Sequence, residues 1–299
     1  MGKLDIVLLT DPRYVNPEPV EWYIRNILDE ERLVTRALES RGLKVWRTNW
    51  DNPDFDWSRT RYIMFRTTWD YFDRYPEFSS WMQEVRSLTK MINPYSIIQW
   101  NLDKHYLQDL MDKGINIPPT VFVEKGDKRS LAEIVHTTGW ASVILKPVVS
   151  GAARHTYRLN PVNISQHEQV YRELIAHESM MLQEFQDKVI NRGEVAHMLF
   201  GGIYSHSVLK KAKEGDFRVQ DDFGGSVSRY EAEEYEIGFA QKVMACCNPV
   251  PVYGRVDVIW DNNDELCVSE LELIEPELWF RMYPEAAELM ADAVLNAIG

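Results

Sequence analysis

The sequence predicts an α/β protein whose C-terminal part changes to α+β, and three observations support this prediction. Strand-sized apolar segments alternate with helical patterns over the first hundred residues, which favours a parallel sheet. From Glu194 onward, long apolar stretches are joined by short turns, which indicates antiparallel hairpins. The chain has 299 residues, of which 45% are apolar, so it can bury more than one core.

The first part of the chain contains four expected strands and two expected helices. The strands are Leu4–Leu9, Leu43–Thr48, Tyr62–Phe65 and Met91–Asn93. One helix runs from about Glu21 to Ser40 and ends at Gly42, because glycine adopts the left-handed conformation that closes a helix. The other lies between Pro76 and Lys90, where apolar residues recur at helical spacing.

The middle of the chain predicts a second unit of strands and helices. Asn101 is the expected N-cap of a helix that reaches Gly114, and Pro118-Pro119 marks the boundary that follows. Three strands and two helices come next: Thr120–Glu124, Val143–Lys146 and Met180–Phe185, with Ser130–Thr137 and His167–His177.

The C-terminal part predicts two hairpins. The first joins Val195–Phe200 to Ile203–Leu209 at Gly201-Gly202, and the second joins Val252–Trp260 to Glu265–Leu273. Helices are expected at Glu231–Cys246 and Pro284–Ile298. We therefore expect three domains, at 1–100, 101–184 and 185–299.

Composition narrows the classes of function and location. Acidic residues outnumber basic residues by 46 to 33, for a net charge of −13, which opposes binding to nucleic acid or to anionic membranes. The longest apolar stretches are strand-sized, which predicts no membrane span. The three cysteines, Cys246, Cys247 and Cys267, are expected to be buried thiols in a reducing compartment, so a cytoplasmic location is expected.

The second hairpin carries an unusual density of charge. With a turn centred on Asn262-Asn263, Asp257 is expected to pair with Val268 and Arg255 with Glu270. Four charged side chains then share one face: Arg255, Asp257, Glu270 and Glu272. Three carboxylates repel one another unless cations neutralise them, and Mg²⁺ prefers such ligands. The alternative is an exposed sheet face with mixed charges.

Lysines and small residues suggest where a phosphate binds. Lys146 ends an apolar strand and is followed by the small-residue loop Ser150–Ala153, whose backbone N–H groups can approach phosphates. No Walker A sequence occurs. Lys104 lies on the helix after Asn101, and Lys210, Lys211, Lys213 and Arg218 form a basic stretch. Taken singly, each of these features also fits a solvated surface.

Taken in order, these features resemble the ATP-grasp superfamily, particularly its glutathione synthetase and D-alanine–D-alanine ligase branch. The resemblance spans roughly residues 93 to 276, and the first hundred residues resemble that family's pre-ATP-grasp domain. Its most specific part is Gly254–Ile259, followed by Glu270-Leu271-Glu272 and Pro276.

The resemblance implies a role for each matching residue. Lys104 and Lys146 contact ATP phosphates, and Ser150, Gly151 and Ala152 belong to the loop that covers them. Gln183, Glu184 and Phe185 form the hinge near adenine, and Glu194 holds the ribose. Asp257, Glu270 and Glu272 bind metal, whereas Lys211 or Lys210, Arg218 and Arg255 surround the transferred phosphate.

The sequence departs from the family at three places. Glu272 stands where the family usually has asparagine, which adds negative charge while keeping a metal ligand. The loop at Ser150–Ala153 has one glycine where relatives often have several. Eight residues separate Phe185 from Glu194, a longer hinge than in many relatives.

A finer resemblance concerns the N-terminal part. Phe65–Tyr71, Asn93-Pro94 and Trp100–Lys104 resemble the subfamily that includes the cyclising ligase of D-cycloserine biosynthesis. Arg66 and Asp70 then face the substrate, because open α/β sheets place ligands beyond the carboxyl ends of their strands. The alternative is an aromatic-rich strand end packed against the next helix.

Family chemistry implies an enzyme that uses ATP and Mg²⁺ or Mn²⁺, with two ions. A small carboxylate, of an amino acid or a peptide-like molecule, attacks the γ-phosphate, and an amine-type nucleophile then displaces phosphate from the acyl phosphate. Cyclisation within one substrate, phosphorylation without ligation and a non-catalytic ATP sensor stay open as alternatives. A homodimer is also expected, since ligases of this fold commonly form one.

Overall fold

A computed structural model describes residues 3–213, 215–216 and 224–299. Arg218, one of the expected catalytic residues, lies outside the described residues. No helix in the described part of the chain is long and apolar enough to cross a membrane.

The N-terminal sheet is parallel, as the alternation of strands and helices predicts. Its strands follow the order β2-β1-β3-β4: β1 Leu4–Thr10, β2 Val45–Asn49, β3 Thr60–Thr67 and β4 Lys90–Ile92. Two helices connect them, α1 Trp22–Glu39 and α2 Tyr75–Val85. The parallel arrangement brings the carboxyl ends of the strands to one edge, where the segment after β3 leaves the sheet.

The central sheet is antiparallel, in the order β5-β8-β6-β7. Its strands are β5 Thr120–Val123, β6 Val143–Pro147, β7 Tyr157–Leu159 and β8 Met180–Glu184. The helices of this region are α3 Tyr95–Asn101, α4 Tyr106–Asp112, α5 Leu131–Thr138 and α6 Ile164–Ile175. Ser130 caps α5 and forms a capping box with Glu133.

The C-terminal sheet is also antiparallel, in the order β11-β10-β9-β12-β13. Its strands are β9 Glu194–Phe200, β10 Ile203–Lys211, β11 Ser226–Tyr230, β12 Tyr253–Trp260 and β13 Leu266–Glu272. The associated helices are α7 Lys188–Arg192, α8 Glu234–Ala245 and α9 Ala286–Ile298. Both expected hairpins, β9-β10 and β12-β13, are confirmed.

One buried apolar cluster joins the first and last parts of the chain. Leu8 and Val34 of the N-terminal part lie in the same cluster as Met198, Phe280 and Met290. A buried side chain strengthens this junction: Asn93 donates to the carbonyls of Tyr253 and Leu273 at 2.8 Å each. The N-terminal sheet is therefore anchored on the strands that carry the charged hairpin.

The expectation for Asn101 was wrong. Asn101 ends α3 and does not cap the next helix, because its side chain is buried against β13. It donates to the carbonyl of Leu271 and accepts from the amide of Leu273, both at 2.8 Å. The two short edge strands β7 and β11, and the five-residue helix α7, have no strong sequence signal and were missed.

Candidate active site

A cleft of about 300 Å³ lies where the three sheets meet. Its walls come from β6, β8, β10, β12 and β13, together with the segments 69–72, 150–153 and 274–279. The expected metal ligands, the expected phosphate lysines Lys104 and Lys146, and the expected hinge residues lie far apart in the sequence but all line this one cleft.

Three carboxylates form the floor of the cleft. Asp257, Glu270 and Glu272 each offer an oxygen within 4.8 Å of the other two. A set of hard oxygen ligands at this spacing fits Mg²⁺, which takes a few carboxylates and completes its shell with phosphate and water. The grouping of the four charged residues of the hairpin on one face is therefore present in the structure.

The expected register of this hairpin was wrong, although the shared face was right. Asp257 pairs with Glu270 rather than Val268, and Arg255 pairs with Glu272 rather than Glu270. The turn spans one residue more than expected, and a bulge between Asp257 and Val258 adds a second shift. Because side chains alternate with a period of two, two single shifts restore the original face.

Two basic side chains neutralise the carboxylates. Arg255 donates to both oxygens of Asp257, at 2.8 and 2.9 Å, and also to Glu272. Lys210 lies 2.8 Å from Asp257. Burial acts to raise the pKa of Asp257, but Arg255 and Lys210 outweigh this effect and hold the pKa below its usual value. Burial raises the pKa of Glu272 well above its usual value despite Arg255.

Glu194 fixes the position of Lys210. The two residues are directly opposite each other in β9 and β10, and the Glu194 Oε1 to Lys210 Nζ distance is 2.5 Å. Gly193 lets the chain turn into β9 with φ +80°, where a Cβ would lie 2.3 Å from the carbonyl oxygen of Lys210. The other carboxylate oxygen of Glu194 accepts a 2.7 Å hydrogen bond from Ser269.

The two lysines expected at the phosphates, Lys104 and Lys146, also line the cleft. Lys104 donates to the Ser150 carbonyl at 2.5 Å and lies 3.1 Å from Glu270. Lys146 reaches the cleft but makes no ion pair or hydrogen bond within the described part of the chain. Burial lowers the pKa of Lys146, and Glu270 opposes this effect. Within the described residues, Lys146 therefore has no internal partner that competes with a bound anion.

The loop that follows Lys146 has an unusual backbone. Ala152 and Ala153 both have left-handed φ angles, 48° and 54°, a conformation that costs energy for residues other than glycine. Gly151 packs under the ring of Phe72, where a Cβ would lie 2.7 Å from Cε1. Arg154 lies 3.2 Å from Asp73, so the loop contacts the N-terminal part of the chain at two points.

The hinge residues close the other end of the cleft. Gln183, Glu184 and Phe185 line it, and the Arg158 guanidinium lies 3.6 Å from the centroid of the Phe185 ring. Gln183 is held by a 3.0 Å hydrogen bond to Thr120. Apolar and aromatic side chains next to exposed backbone suit a flat base.

Three residues expected at the site lie elsewhere. Lys211 is exposed and does not line the cleft, whereas its neighbour Lys210 does. Arg66 is buried and binds Glu30 at 2.7 Å. Asp70 accepts from Trp50 at 2.8 Å and from Arg74 at 2.8 Å. For this strand end, the alternative of structural packing fits the contacts better than a substrate contact.

Sequence reasoning placed the segment after β3 at the substrate through Arg66 and Asp70, but it did not single out the residues on this side that line the cleft. Trp69, Tyr71, Glu275 and Trp279 all line it. The Trp69 indole donates to the Glu275 carbonyl at 3.0 Å, and the Tyr71 hydroxyl is hydrogen-bonded to the Glu275 carboxylate. Burial raises the pKa of Glu275 to about 7. The proximity of Glu275 to Glu272 in sequence was the one available signal.

Comparison with known proteins shows that the chain is similar to D-cycloserine synthetase. A family model described as the N-terminal domain of D-cycloserine synthetase DcsG matches residues 6–93. The cycloserine biosynthesis protein DcsG of Streptomyces lavendulae is 26% identical over 276 residues, which cover 88% of this chain and 91% of that protein. The crystal structure of D-cycloserine synthetase DcsG has a TM-score of 0.87 at 25% identity and covers 98% of this chain and 99% of that chain.

A structure of lower sequence identity shares the same fold. The ATP-grasp ligase PsnB, in complex with a precursor variant, Mg and ADP, has a TM-score of 0.65 at 15% identity and covers 98% of this chain and 99% of that chain. The chain has the fold of the ATP-grasp ligases. The resemblance and the fold class expected from the sequence are thus confirmed. The PsnB structure contains Mg and ADP, and a structure of D-alanine–D-alanine ligase from Bacillus anthracis with the same fold contains ATP.

Proposed function

We propose that the protein phosphorylates the carboxylate of a small substrate with ATP and then joins the activated acyl group to an amine-type nitrogen. The observation that carries this proposal is the meeting of three carboxylates with Lys104, Lys146, Lys210 and Arg255 in one cleft. Among the described residues that line the cleft there is no cysteine, and no histidine that could serve as the base of a serine nucleophile. Catalysis by position and charge therefore fits the arrangement.

The chemistry proceeds in two displacements. A substrate carboxylate oxygen attacks the γ-phosphorus, the bond to the β,γ-bridging oxygen breaks, and ADP leaves. The nitrogen then attacks the acyl carbon, the bond from that carbon to the phosphate oxygen breaks, and the nitrogen loses a proton. Asp257, Glu270 and Glu272 would hold Mg²⁺, which would neutralise charge on the phosphates.

The chain's own residues divide the remaining work. Lys146, which has no partner of its own in the described residues, binds a phosphate oxygen, and Lys104 does so from the turn between α3 and α4. Gly151 and Ala152 cover the phosphates, and Glu184 and Phe185 hold the base. Arg255 and Lys210 stabilise charge on the transferred phosphoryl group.

Some expectations from the resemblance stay predictions. Each oxygen of Glu194 already has one partner but keeps a second lone pair, so a ribose contact is compatible with its position. The number of metal ions, the homodimer and the cytoplasmic location are predictions of the same kind. We also propose the three domains 1–100, 101–184 and 185–299, because each range contains one sheet.

A cyclising reaction within one substrate is the second candidate. It is favoured by the similarity to D-cycloserine synthetase, which extends over 98% of this chain. Cyclisation removes one water from a single substrate, whereas ligation joins two substrates. The mass of the product therefore separates the two.

The test is release of ADP from Mg²⁺ and ATP in the presence of pools of amino acids, small peptides and O-substituted serines. We expect one pool to stimulate release, and we expect Asp257→Asn to lower it by roughly 100-fold or more, because a buried metal ligand is lost. The matched control is Asp264→Asn, an exposed position on the same hairpin. Equal activity of both variants, or release that no pool stimulates, would overturn the proposal.

A further inference from the structure

The cleft has a wall of distinct chemistry on the side that faces the N-terminal sheet. Tyr23, Trp69, Tyr71 and Phe72 supply aromatic rings there, with one carboxylate, Glu275, among them. The Tyr23 and Trp69 ring centroids are 6.4 Å apart. Tyr71 is buried and hydrogen-bonded to the Glu275 side chain, while Trp69 is bonded to the Glu275 carbonyl at 3.0 Å. Glu275 is thus held in place by two aromatic residues.

Glu275 differs from the carboxylates of the metal site in its partners. Asp257, Glu270 and Glu272 each have a lysine or arginine nitrogen at ion-pair distance. Within the part of the chain that the structure describes, no basic side chain lies within 4.0 Å of Glu275. A partly buried carboxylate without a counter-ion is costly, and burial accordingly raises its pKa.

The net charge of the cleft also favours a positively charged ligand group. Among the described residues that line it, seven side chains are acidic and four are basic. ATP with two Mg²⁺ ions adds almost no net charge, so the excess of negative charge persists in the loaded cleft. A cation complements it, and aromatic faces around a carboxylate are the usual environment for an ammonium group.

We propose that Glu275 binds a protonated amine of the substrate, with the rings of Trp69 and Tyr71 beside it. This inference rests on the proposed function and specifies its substrate class: a small carboxylic acid that carries a free amino group. The bound amine stays protonated and is distinct from the nitrogen that attacks the acyl phosphate. Glu275 would thus select substrates that carry a free amino group.

The experiment compares each stimulating substrate with its N-acetyl derivative, whose amide nitrogen is neutral. The assay is ADP release by the wild type and by Glu275→Gln, which keeps the size of the side chain. A hydrogen bond between charged groups contributes enough for a roughly 10- to 100-fold effect. We expect the KM of Glu275→Gln for the free amine to rise by that factor. The variant should then no longer prefer the free amine to the N-acetyl derivative, and its KM for ATP should be unchanged.

Two further variants separate recognition from a structural effect. Tyr71→Phe removes the hydroxyl that holds Glu275 and keeps the ring, so we expect a smaller rise in KM that does not add to that of Glu275→Gln. Glu234→Gln removes one exposed negative charge outside the cleft and should change neither constant. The unchanged KM for ATP shows that the variants are folded.

The outcomes are distinguishable. If no pool stimulates ADP release by the wild type, the proposed function fails and this assignment fails with it. If a pool does stimulate release but Glu275→Gln keeps the preference of the wild type for the free amine, the amine site alone is overturned. Collapse of the preference in Glu275→Gln, with the preference intact in Glu234→Gln, supports it.

Discussion

Two adjacent lysines show how strand geometry selects a functional side chain. Lys210 and Lys211 follow each other in β10, so their side chains point to opposite faces of the sheet. Lys210 is 4% exposed and lies between Glu194 and Asp257, whereas Lys211 is exposed. The sequence alone does not show which of the two lysines faces the cleft. The register of β9 against β10, which pairs Lys210 with Glu194, decides this.

Replacement of each lysine by methionine tests this selection. Lys210→Met should lower kcat/KM for ATP by roughly 100-fold, because a preorganised cation at the transferred phosphate is lost. Lys211→Met should stay within about 2-fold, since an exposed lysine outside the cleft loses little. Steady-state kinetics with the stimulating substrate gives both values. A larger loss for Lys211→Met than for Lys210→Met would contradict the assignment.

At the level of elements, β13 is held in place by side chains from α3 and α4. Asn101 pairs with the backbone of Leu271 and Leu273, and the Tyr106 hydroxyl accepts from the Leu271 amide at 2.9 Å. These bonds bracket Glu272, which lies between the two bonded residues. The proposed metal ligand Glu272 is therefore positioned by two helices that carry no proposed ligand themselves.

Asn101→Leu should weaken both stability and metal binding. It leaves the Leu271 carbonyl and the Leu273 amide buried without partners, which costs about 2 to 4 kcal/mol. We also expect weaker binding of Mg²⁺ in the presence of ATP, because β13 loses its support next to Glu272. Denaturant unfolding and a metal titration measure the two effects. The control is Gln99→Leu, an exposed position on the same helix, and equal stability of the two variants would contradict the prediction.

The elements also show what sequence reasoning can and cannot deliver. The hairpins and the grouping of Asp257, Glu270 and Glu272 on one face were predictable, because apolar runs and charged residues at alternating positions indicate the face of a strand directly. The register of β12 against β13 was not, because the turn length and the bulge depend on contacts of the folded chain. Glu275 and Tyr71 were missed because they lie in irregular segments, where no period relates sequence to position.

Over the whole molecule, the five-stranded sheet carries both the cleft and two buried histidines. His197 and His206 are buried in β9 and β10. His206 Nε2 donates to the Leu278 carbonyl at 2.8 Å, and Nδ1 lies 2.9 Å from the Ser205 hydroxyl. Burial lowers the pKa of each histidine to about 4. Both side chains are therefore neutral in the folded protein at neutral pH.

These histidines predict a loss of stability in mild acid. Because the unfolded chain binds a proton near pH 6.5 and the folded chain only near pH 4, the unfolded state holds more protons between these values, and stability falls as the pH falls through this window. A shift of this size corresponds to about 3 kcal/mol per histidine. Glu275 acts in the opposite sense, because its pKa is raised to about 7, and its contribution to stability is lost as the pH rises from 4.5 to 7.

A pair of proteins isolates the histidine effect from that of Glu275. His206→Gln keeps an N–H donor for the Leu278 carbonyl and does not titrate, so the unfolding free energy of the wild type should fall relative to this variant by about 3 kcal/mol between pH 6.5 and pH 4. Urea unfolding at four pH values measures the difference. A difference that stays constant would mean that His206 accepts its proton at the same pH in both states. The ring of Tyr283, centred 4.4 Å from that of His206, would then have to accommodate an imidazolium, a favourable cation–π contact that would offset the burial.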